Sequence, residues 1–255
     1  MKKLLLGSVA LVAVVAGPAS AADLSPTPAP VYTKAPAMAP PYDWTGFYVG
    51  GHASYSWSHS NGQTMNTANG QLFAPGSNDT SAFHGGGQIG FDYMTSSRIV
   101  FGVVADISSG AHNTNTFIAP NVTITSQGKT DVSGTLRARV GYAFDTLLLY
   151  GTGGRGWSSG SSTRTQVVGT VGNATPGTVE TASTNNSGWR AGVGLDYAFA
   201  RNWDVFAEYK YARSQDITIT FPIAQRSTTS HSTSNAIEVG VNWRFNWGGP
   251  IGASY

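Results

Sequence analysis

The strongest constraint on this chain is an alternation that recurs after residue 43 and ends in Glu238-Val239-Gly240-Val241-Asn242-Trp243-Arg244-Phe245. Val239, Val241, Trp243 and Phe245 take every second position, with Glu238, Gly240, Asn242 and Arg244 between them. Successive side chains of a strand point to opposite faces, so this run has one face of large apolar residues and one charged face. That division suits a strand with lipid outside and a polar barrel lumen inside.

Seven earlier segments repeat the pattern. Gly46–Trp57 sets Phe47, Val49, Ala53, Tyr55 and Trp57 against Tyr48, His52, Ser54 and Ser56. Ala82–Met94 sets Phe83, Ile89, Phe91 and Tyr93 against His84, Gln88 and Asp92, and Arg98–Ser109 opposes Ile99, Phe101, Val103 and Ile107 to Asp106 and Ser108. Val132–Ala143 carries Arg137 and Arg139 opposite Leu136, Ala138 and Val140. Thr146–Trp157 is the ambiguous segment: Leu147-Leu148-Leu149 does not alternate, and the face given to Arg155 decides its register. Ser187–Phe199 holds Arg190 and Asp196 opposite Trp189, Val193 and Leu195, and Asn202–Asp216 holds Asp204, Glu208 and Lys210 opposite Trp203, Val205 and Tyr209. A period of 2 throughout, with no run at 3.6, predicts an all-β chain of eight strands.

The connections alternate too. Residues 95–97, 144–145 and 200–201 are tight, whereas residues 58–81, 110–131, 158–186 and 217–233 are long and rich in Ser, Thr, Asn and Gly. Short turns at one end and long loops at the other are the asymmetry of outer-membrane barrels, whose even strand count keeps both termini inside. A secreted sandwich has no reason for it. The expectation is an eight-stranded antiparallel transmembrane up-and-down β-barrel over residues 43–245.

The flanking segments agree with export. Met1-Lys2-Lys3, the apolar stretch Leu4–Ala16 and Ala19-Ser20-Ala21 read as a signal peptide over residues 1–22. Residues 23–42 carry Pro26, Pro28, Pro30, Pro36, Pro40 and Pro41, a composition for an extended periplasmic linker, and residues 246–255 form a C-terminal extension. Without Lys2 and Lys3 the chain has thirteen basic and thirteen acidic residues, and no basic stripe points to nucleic acid. The absence of Cys removes disulfides and thiolate metal sites.

An eight-stranded barrel is just wide enough for its side chains to fill. The inward set then holds Asp92, Asp106, Asp196, Asp204, Glu208 and Glu238 together with Arg137, Arg139, Arg155, Arg190, Lys210 and Arg244. Enclosed charges are tolerated when paired, so six of each sign predict a salt-bridge plug that fixes strand register; a charged, water-filled pore is the alternative. The outward rings Tyr142, Trp203, Trp243 and Phe245 fall near the turns, and Trp57 and Trp189 near the loops, as two girdles at the membrane–water boundaries.

Several stretches resemble the small outer-membrane β-barrel proteins of alphaproteobacteria, a porin-like surface-antigen family of rhizobia and their relatives. They are Asp43-Trp44-Thr45-Gly46-Phe47-Tyr48-Val49-Gly50-Gly51; Gly134–Ala143 followed by Leu149–Gly154; Gly188–Gly194 with Asn202-Trp203 and Ala207-Glu208-Tyr209; and Val239–Phe245. The resemblance implies residence in the outer-membrane lipid and insertion by the barrel-assembly machinery, which reads a closing strand that ends in an aromatic. Phe245 or the terminal Tyr255 serves as that signal. It also implies envelope integrity, surface antigenicity and, in some members, host or haem contact.

Patterns for catalysis are weak. Gly156-Trp157-Ser158-Ser159-Gly160 matches G-x-S-x-G, and Gly85, Gly87 and Gly90 match a dinucleotide fingerprint, but each lacks the helix its chemistry needs. His52 and Ser54 share a strand face without an orienting carboxylate. His59, His112 and His231 are the only loop trio to consider for haem or metal. The expectation is a non-enzymatic envelope barrel without cofactor, catalytic residue or bound metal, with a narrow channel or ligand receptor as the alternative.

Overall fold

The computed structural model describes residues 42–73 and 75–245, and of residues 110–113 the backbone alone. The expected signal peptide, the Pro-rich segment up to residue 41 and the extension 246–255 lie outside the described residues. Nine strands follow in order: β1 (Gly46–Asn66), β2 (Gly76–Met94), β3 (Ile99–Ala119), β4 (Val122–Phe144), β5 (Leu147–Val168), β6 (Val179–Ala200), β7 (Trp203–Ser214), β8 (Ile217–Phe221) and β9 (Arg226–Phe245). Eight of them make an antiparallel ring, β1 through β7 and then β9, closed by β9 on β1. The closing ladder runs from Phe47↔Phe245 to Asn66↔Arg226, so the run that ends the sequence pattern is the seam of the barrel. β8 is the ninth strand: β9 pairs with β7 from Trp203↔Trp243 to Arg213↔Thr233, then with β8 from Ile217↔Ser230 to Phe221↔Arg226.

The strands are longer than the sequence pattern suggested. The stretches expected as long loops are largely outward continuations of the same hairpins: β3 and β4 run on until only Pro120 and Asn121 separate them, and β8 meets β9 across residues 222–225. Alternation of hydropathy is lost there because both faces meet water, while the ladder persists because each strand has a partner. Thr favours extended backbone, and hydroxyl pairs tie the extensions across strands, as in Thr64–Thr228 (2.9 Å), Thr163–Thr181 (3.0 Å) and Thr218–Thr229 (2.8 Å). The tight turns close through single residues in the left-handed region: Arg98 (φ 65°), Asn121 (63°), Asp145 (57°) and Gln225 (54°).

A continuous band of large apolar side chains covers the outside of the turn-side part of the strands, from Phe47 to Trp57 on β1 and from Trp189 to Phe199 on β6, whereas the extensions carry scattered ones such as Phe117 and Val179. Such a band matches the roughly 9–11 tilted residues with which a strand crosses hydrocarbon. These residues are exposed because their partner is the bilayer; Val193 is 63% exposed. At the turn-side mouth the inside is apolar as well. Trp44, Val100, Ala143, Leu148, Tyr150 and Ala198 pack together there, and the Trp44 indole donates to the carbonyl of Asp145 (2.9 Å). The segment before β1 therefore crosses the mouth and seals it.

A charge at the middle of the outer band meets hydrocarbon, whereas one on the extensions meets water. Val193→Arg should lower the stability of the lipid-reconstituted barrel by about 2–4 kcal/mol in guanidinium titrations, and Ser183→Arg, on the same face of β6 but beyond the band, by about 1 kcal/mol or less.

Candidate functional site

Two arginines facing inward from β4 and β9 organise the lumen above the sealed mouth. Arg244 donates through Nε to Asp204 (2.6 Å), through Nη1 to Asp92 (3.0 Å) and through Nη2 to Asp196 (3.3 Å). Arg139 donates to Asp196 as well and reaches the Tyr48 hydroxyl at 3.3 Å. The guanidinium of Arg139 lies 3.7 Å from the ring centre of Tyr150, and that of Arg244 lies 4.6 Å from Trp44 and 4.7 Å from Tyr48. Three fully buried carboxylates from β2, β6 and β7 thus clasp two cations on strands across the ring. Asn242 and Gln88 extend the layer, Asn242 donating to Asp204 and Gln88 donating to Asn242, both at 2.7 Å.

A second layer lies one step outward. Arg137 pairs with Glu208 and with Asp106 (3.1 Å), Thr152 donates to Glu208 (2.6 Å), and Thr135 donates to Asp106. Above it Lys210 pairs with Glu238, and His52 Nε2 shares a hydrogen bond with Ser108 Oγ (2.8 Å). Large inward groups fit into so narrow a ring because neighbouring inward positions are glycine. The Tyr48 ring occupies the space a side chain at Gly90 would need, and a Cβ at Gly194 would stand 2.6 Å from Tyr150 Cζ. These glycines provide volume for the plug.

Ten of the twelve residues read as a lumen network meet in these layers: Asp92, Asp106, Arg137, Arg139, Asp196, Asp204, Glu208, Lys210, Glu238 and Arg244. Arg190 faces inward but stands apart, packed over Gly156 with no ion pair among the described residues. Arg155 differs from the expectation. It pairs in register with Leu136 and Trp189, which face outward, and so it projects to the lipid side. The reason lies at the start of β5: Leu148 is the inward member of the Leu triplet, buried in the apolar seal, which fixes the odd positions outside. The set is then six acids to five bases. Tyr48, Tyr150, Trp44, Thr135 and Thr152 complete the network; the sequence signal for them was their parity with the charges, which aromatic and hydroxyl residues do not advertise.

Outside the plug the lumen widens into a polar vestibule of about 270 Å³, lined by serines and by His84, Arg190 and Lys210. Ser56 and His84 Nε2 share a hydrogen bond of 2.9 Å at its wall. A hydrolytic triad is not assembled there. The Ser108 hydroxyl and the Glu238 carboxylate (3.6 Å) both approach Nε2 of His52, and its Nδ1 has no partner to orient it. Ser54 makes no bond to His52. Gly156–Gly160 and Gly85–Gly90 lie within β5 and β2, so neither glycine pattern opens onto a helix. His59 and His231 fall on adjacent strands, each beside its own carboxylate, Asp79 (2.5 Å) and Asp216 (3.7 Å); the His112 side chain lies outside the described residues.

The girdle residues Trp57, Tyr142, Trp189, Trp203, Trp243 and Phe245 all face outward, near the two ends of the apolar band. Trp157, Tyr209 and Tyr211 join them there, on the same outer face. Beyond the band the hairpins carry a second small core of Ala174, Phe221 and Ala224. Glu180 accepts the amides of Ile223 (2.7 Å) and Ala224 (3.0 Å), and buried Arg164 donates to Gln166 (2.7 Å). Burial at this site lowers the pKa of Arg164 from its ordinary value.

Comparison with known proteins places these features in context. The family model described as the outer membrane protein beta-barrel domain matches residues 8–245. The chain is 29% identical to the 31 kDa outer-membrane immunogenic protein of Brucella melitensis, over 96% of this chain and all of that one. It is 28% identical to the 25 kDa outer-membrane immunogenic protein of Brucella canis over 86% of this chain and 85% of the relative. To a 22 kDa outer membrane protein of Rhizobium leguminosarum the identity is 26%, over 81% and 80% of the two chains.

Removing one partner of a buried ion cluster leaves the others uncompensated. Arg244→Ala should therefore cost about 3–5 kcal/mol in chemical unfolding of the reconstituted barrel, and Arg244→Lys should recover part of it through a single contact. On the outer extension, the hydrogen bond and charge of Asp79 raise the His59 pKa above its ordinary 6.5. An NMR titration should find that raised midpoint, and Asp79→Asn should return it towards 6.5. The pair's contribution is present at low pH and is lost as pH rises through the raised midpoint.

Proposed function

The chain belongs to the family of outer membrane protein beta-barrel domains, and on that footing we propose that it is a non-enzymatic barrel that serves envelope structure and surface display, with a lumen closed to solutes. Its place is the outer membrane. The observation that carries the reading is the stack of Trp44, the Arg139–Arg244 carboxylate layer and the Arg137 layer, which leaves fully buried side chains across the ring. A path for ions through this stack would have to break several charge-assisted bonds at once. The same stack ties β2, β4, β6, β7 and β9 to one another and so holds the register of the ring. Insertion by the barrel-assembly machinery through the closing strand, and presentation of the ordered outer hairpins to the surroundings, belong to this reading.

A second reading has one observation in its favour: Arg190 presents to the serine-lined vestibule a cation with no ion pair among the described residues. A small anionic or polyhydroxy solute held there would make the protein a receptor without making it a channel.

Planar-bilayer recording decides between a plug and a pore. The refolded protein should give no conductance steps comparable with those of a general porin, and Arg137→Ser/Glu208→Ser should stay closed because the Arg139–Arg244 layer and the apolar seal remain; porin-sized conductance of the native protein overturns the closed-lumen reading. Calorimetric titration with small sugar acids, with Arg190→Gln as control, tests the second reading.

A further inference from the structure

The lipid-facing side of the barrel carries one charge within its apolar band among the described residues, and it is Arg155. On β5 the outward positions run Leu147, Leu149, Gly151, Gly153, Arg155 and Trp157, which places Arg155 one step inside the last aromatic on the side away from the short turns. Two strands along, β7 presents Trp203, Val205, Ala207, Tyr209, Tyr211 and then Arg213 on the same face. The register makes these arginines flank one residue, through Arg155↔Trp189 and Trp189↔Arg213. With strands about 4.8 Å apart, their Cα atoms stand about 10 Å from each other, a gap that two guanidinium arms span. Trp189 lies between them, its ring 5.2 Å from that of Tyr211.

Neither arginine has an ion pair or hydrogen bond to a side chain among the described residues. Other exposed charges of the outer extensions do: His59 with Asp79 at 2.5 Å and Lys129 with Asp131 at 2.7 Å. An arginine on the lipid face is costly at mid-membrane and nearly free at the interface, where its long side chain reaches the headgroups. At that depth the available counterion is a lipid headgroup. A planar guanidinium fork matches phosphate through two parallel hydrogen bonds, and two forks on either side of an interfacial indole make a bidentate clamp.

We propose that Arg155, Trp189 and Arg213 form a binding site for the phosphate-bearing headgroup of an outer-leaflet lipid on the β5–β7 face. The site rests on the membrane placement of the barrel alone and not on whether its lumen is closed. It converts an otherwise unfavourable cation in the apolar band into a fixed contact with the surrounding leaflet, and it sets this face apart from the uncharged bands of β1 to β4, β6 and β9.

The test uses the refolded protein in phosphatidylcholine nanodiscs doped with phosphatidic acid, released and weighed by native mass spectrometry. The native protein should retain phosphatidic acid in preference to phosphatidylcholine. Arg155→Gln/Arg213→Gln should reduce that preference by about tenfold or more, the loss expected when charge-assisted hydrogen bonds are removed. Arg155→Lys/Arg213→Lys should retain part of it, and Lys129→Gln should leave it unchanged. A heat-dependent gel shift, together with retained phosphatidylcholine, confirms that each variant is folded and lipid-embedded. Undiminished retention by the folded double Gln variant overturns the proposal. So does displacement of the lipid by an equal concentration of inorganic phosphate, which would mark a site for the free anion.

Discussion

Hydrocarbon offers no hydrogen bonds to a peptide group, and everything else in this fold follows from that constraint. A strand in the membrane must pair on both edges, so the sheet has to close, and the ladder between β1 and β9 closes it. Closing at eight strands fixes a lumen only as wide as its own side chains. The lumen of this chain is then given charges, and charges withdrawn from water must find one another. Arg244 with Asp92, Asp196 and Asp204, and Arg137 with Asp106 and Glu208, are the solution. Because partners sit on strands across the ring as well as beside one another, a slip of one residue in any strand would carry its charge from a carboxylate to lipid. The plug therefore reports on register, and the glycines beside Tyr48 and Tyr150 are the space without which it would not fit.

Much of this was legible beforehand because the bilayer imposes a strict two-residue code. Period and polarity identified the ring of eight strands, the tight turns and ten of the twelve charges that meet inside. The code fails where its premise fails. At the turn-side mouth the inside is apolar, so Leu147-Leu148-Leu149 carries no contrast, and the parity of β5 could be set only by knowing that Leu148 joins Trp44 in the seal. Trp157, two residues beyond Arg155, held the missing clue: an aromatic at the loop side belongs outside with Trp57 and Trp189, and it takes Arg155 with it. Beyond the membrane both faces are wet, and hydropathy no longer separates strand from loop. Thr64 and Thr228, or Thr163 and Thr181, look like loop residues in sequence and are ladder residues in space. Ser108 as the partner of His52 was equally hidden, since the two are on strands that hydropathy does not order.

The outer hairpins obey different physics from the same backbone. With no lipid to exclude, they are held by ladder bonds, hydroxyl pairs and a small core around Phe221. Glu180 caps the β8–β9 turn through two backbone amides, and Arg164 and Gln166 lie buried beside it. A surface built this way presents defined backbone and side-chain geometry outside the membrane. That suits recognition by partners of fixed shape better than a set of disordered loops would.

Arginine is used on both sides of the wall, and the contrast clarifies each use. Inside, the counterions are carboxylates supplied by neighbouring strands, and the cost of withdrawing Arg139 and Arg244 from water is offset within the protein. Outside, at Arg155 and Arg213, no carboxylate is supplied among the described residues, and the proposed counterion is a component of the bilayer instead. A cation that completes its pairing inside fixes the barrel's own register. One that completes it outside ties a particular face, and through Trp189 a particular height, to the headgroup layer. The strands β5 to β7 thus carry an arginine-based interaction on each side: Glu208 reaches inward to Arg137 from the strand that sends Arg213 outward. Lipid-facing Arg213 and lumen-facing Glu208 are thus held by the same short stretch of β7 backbone.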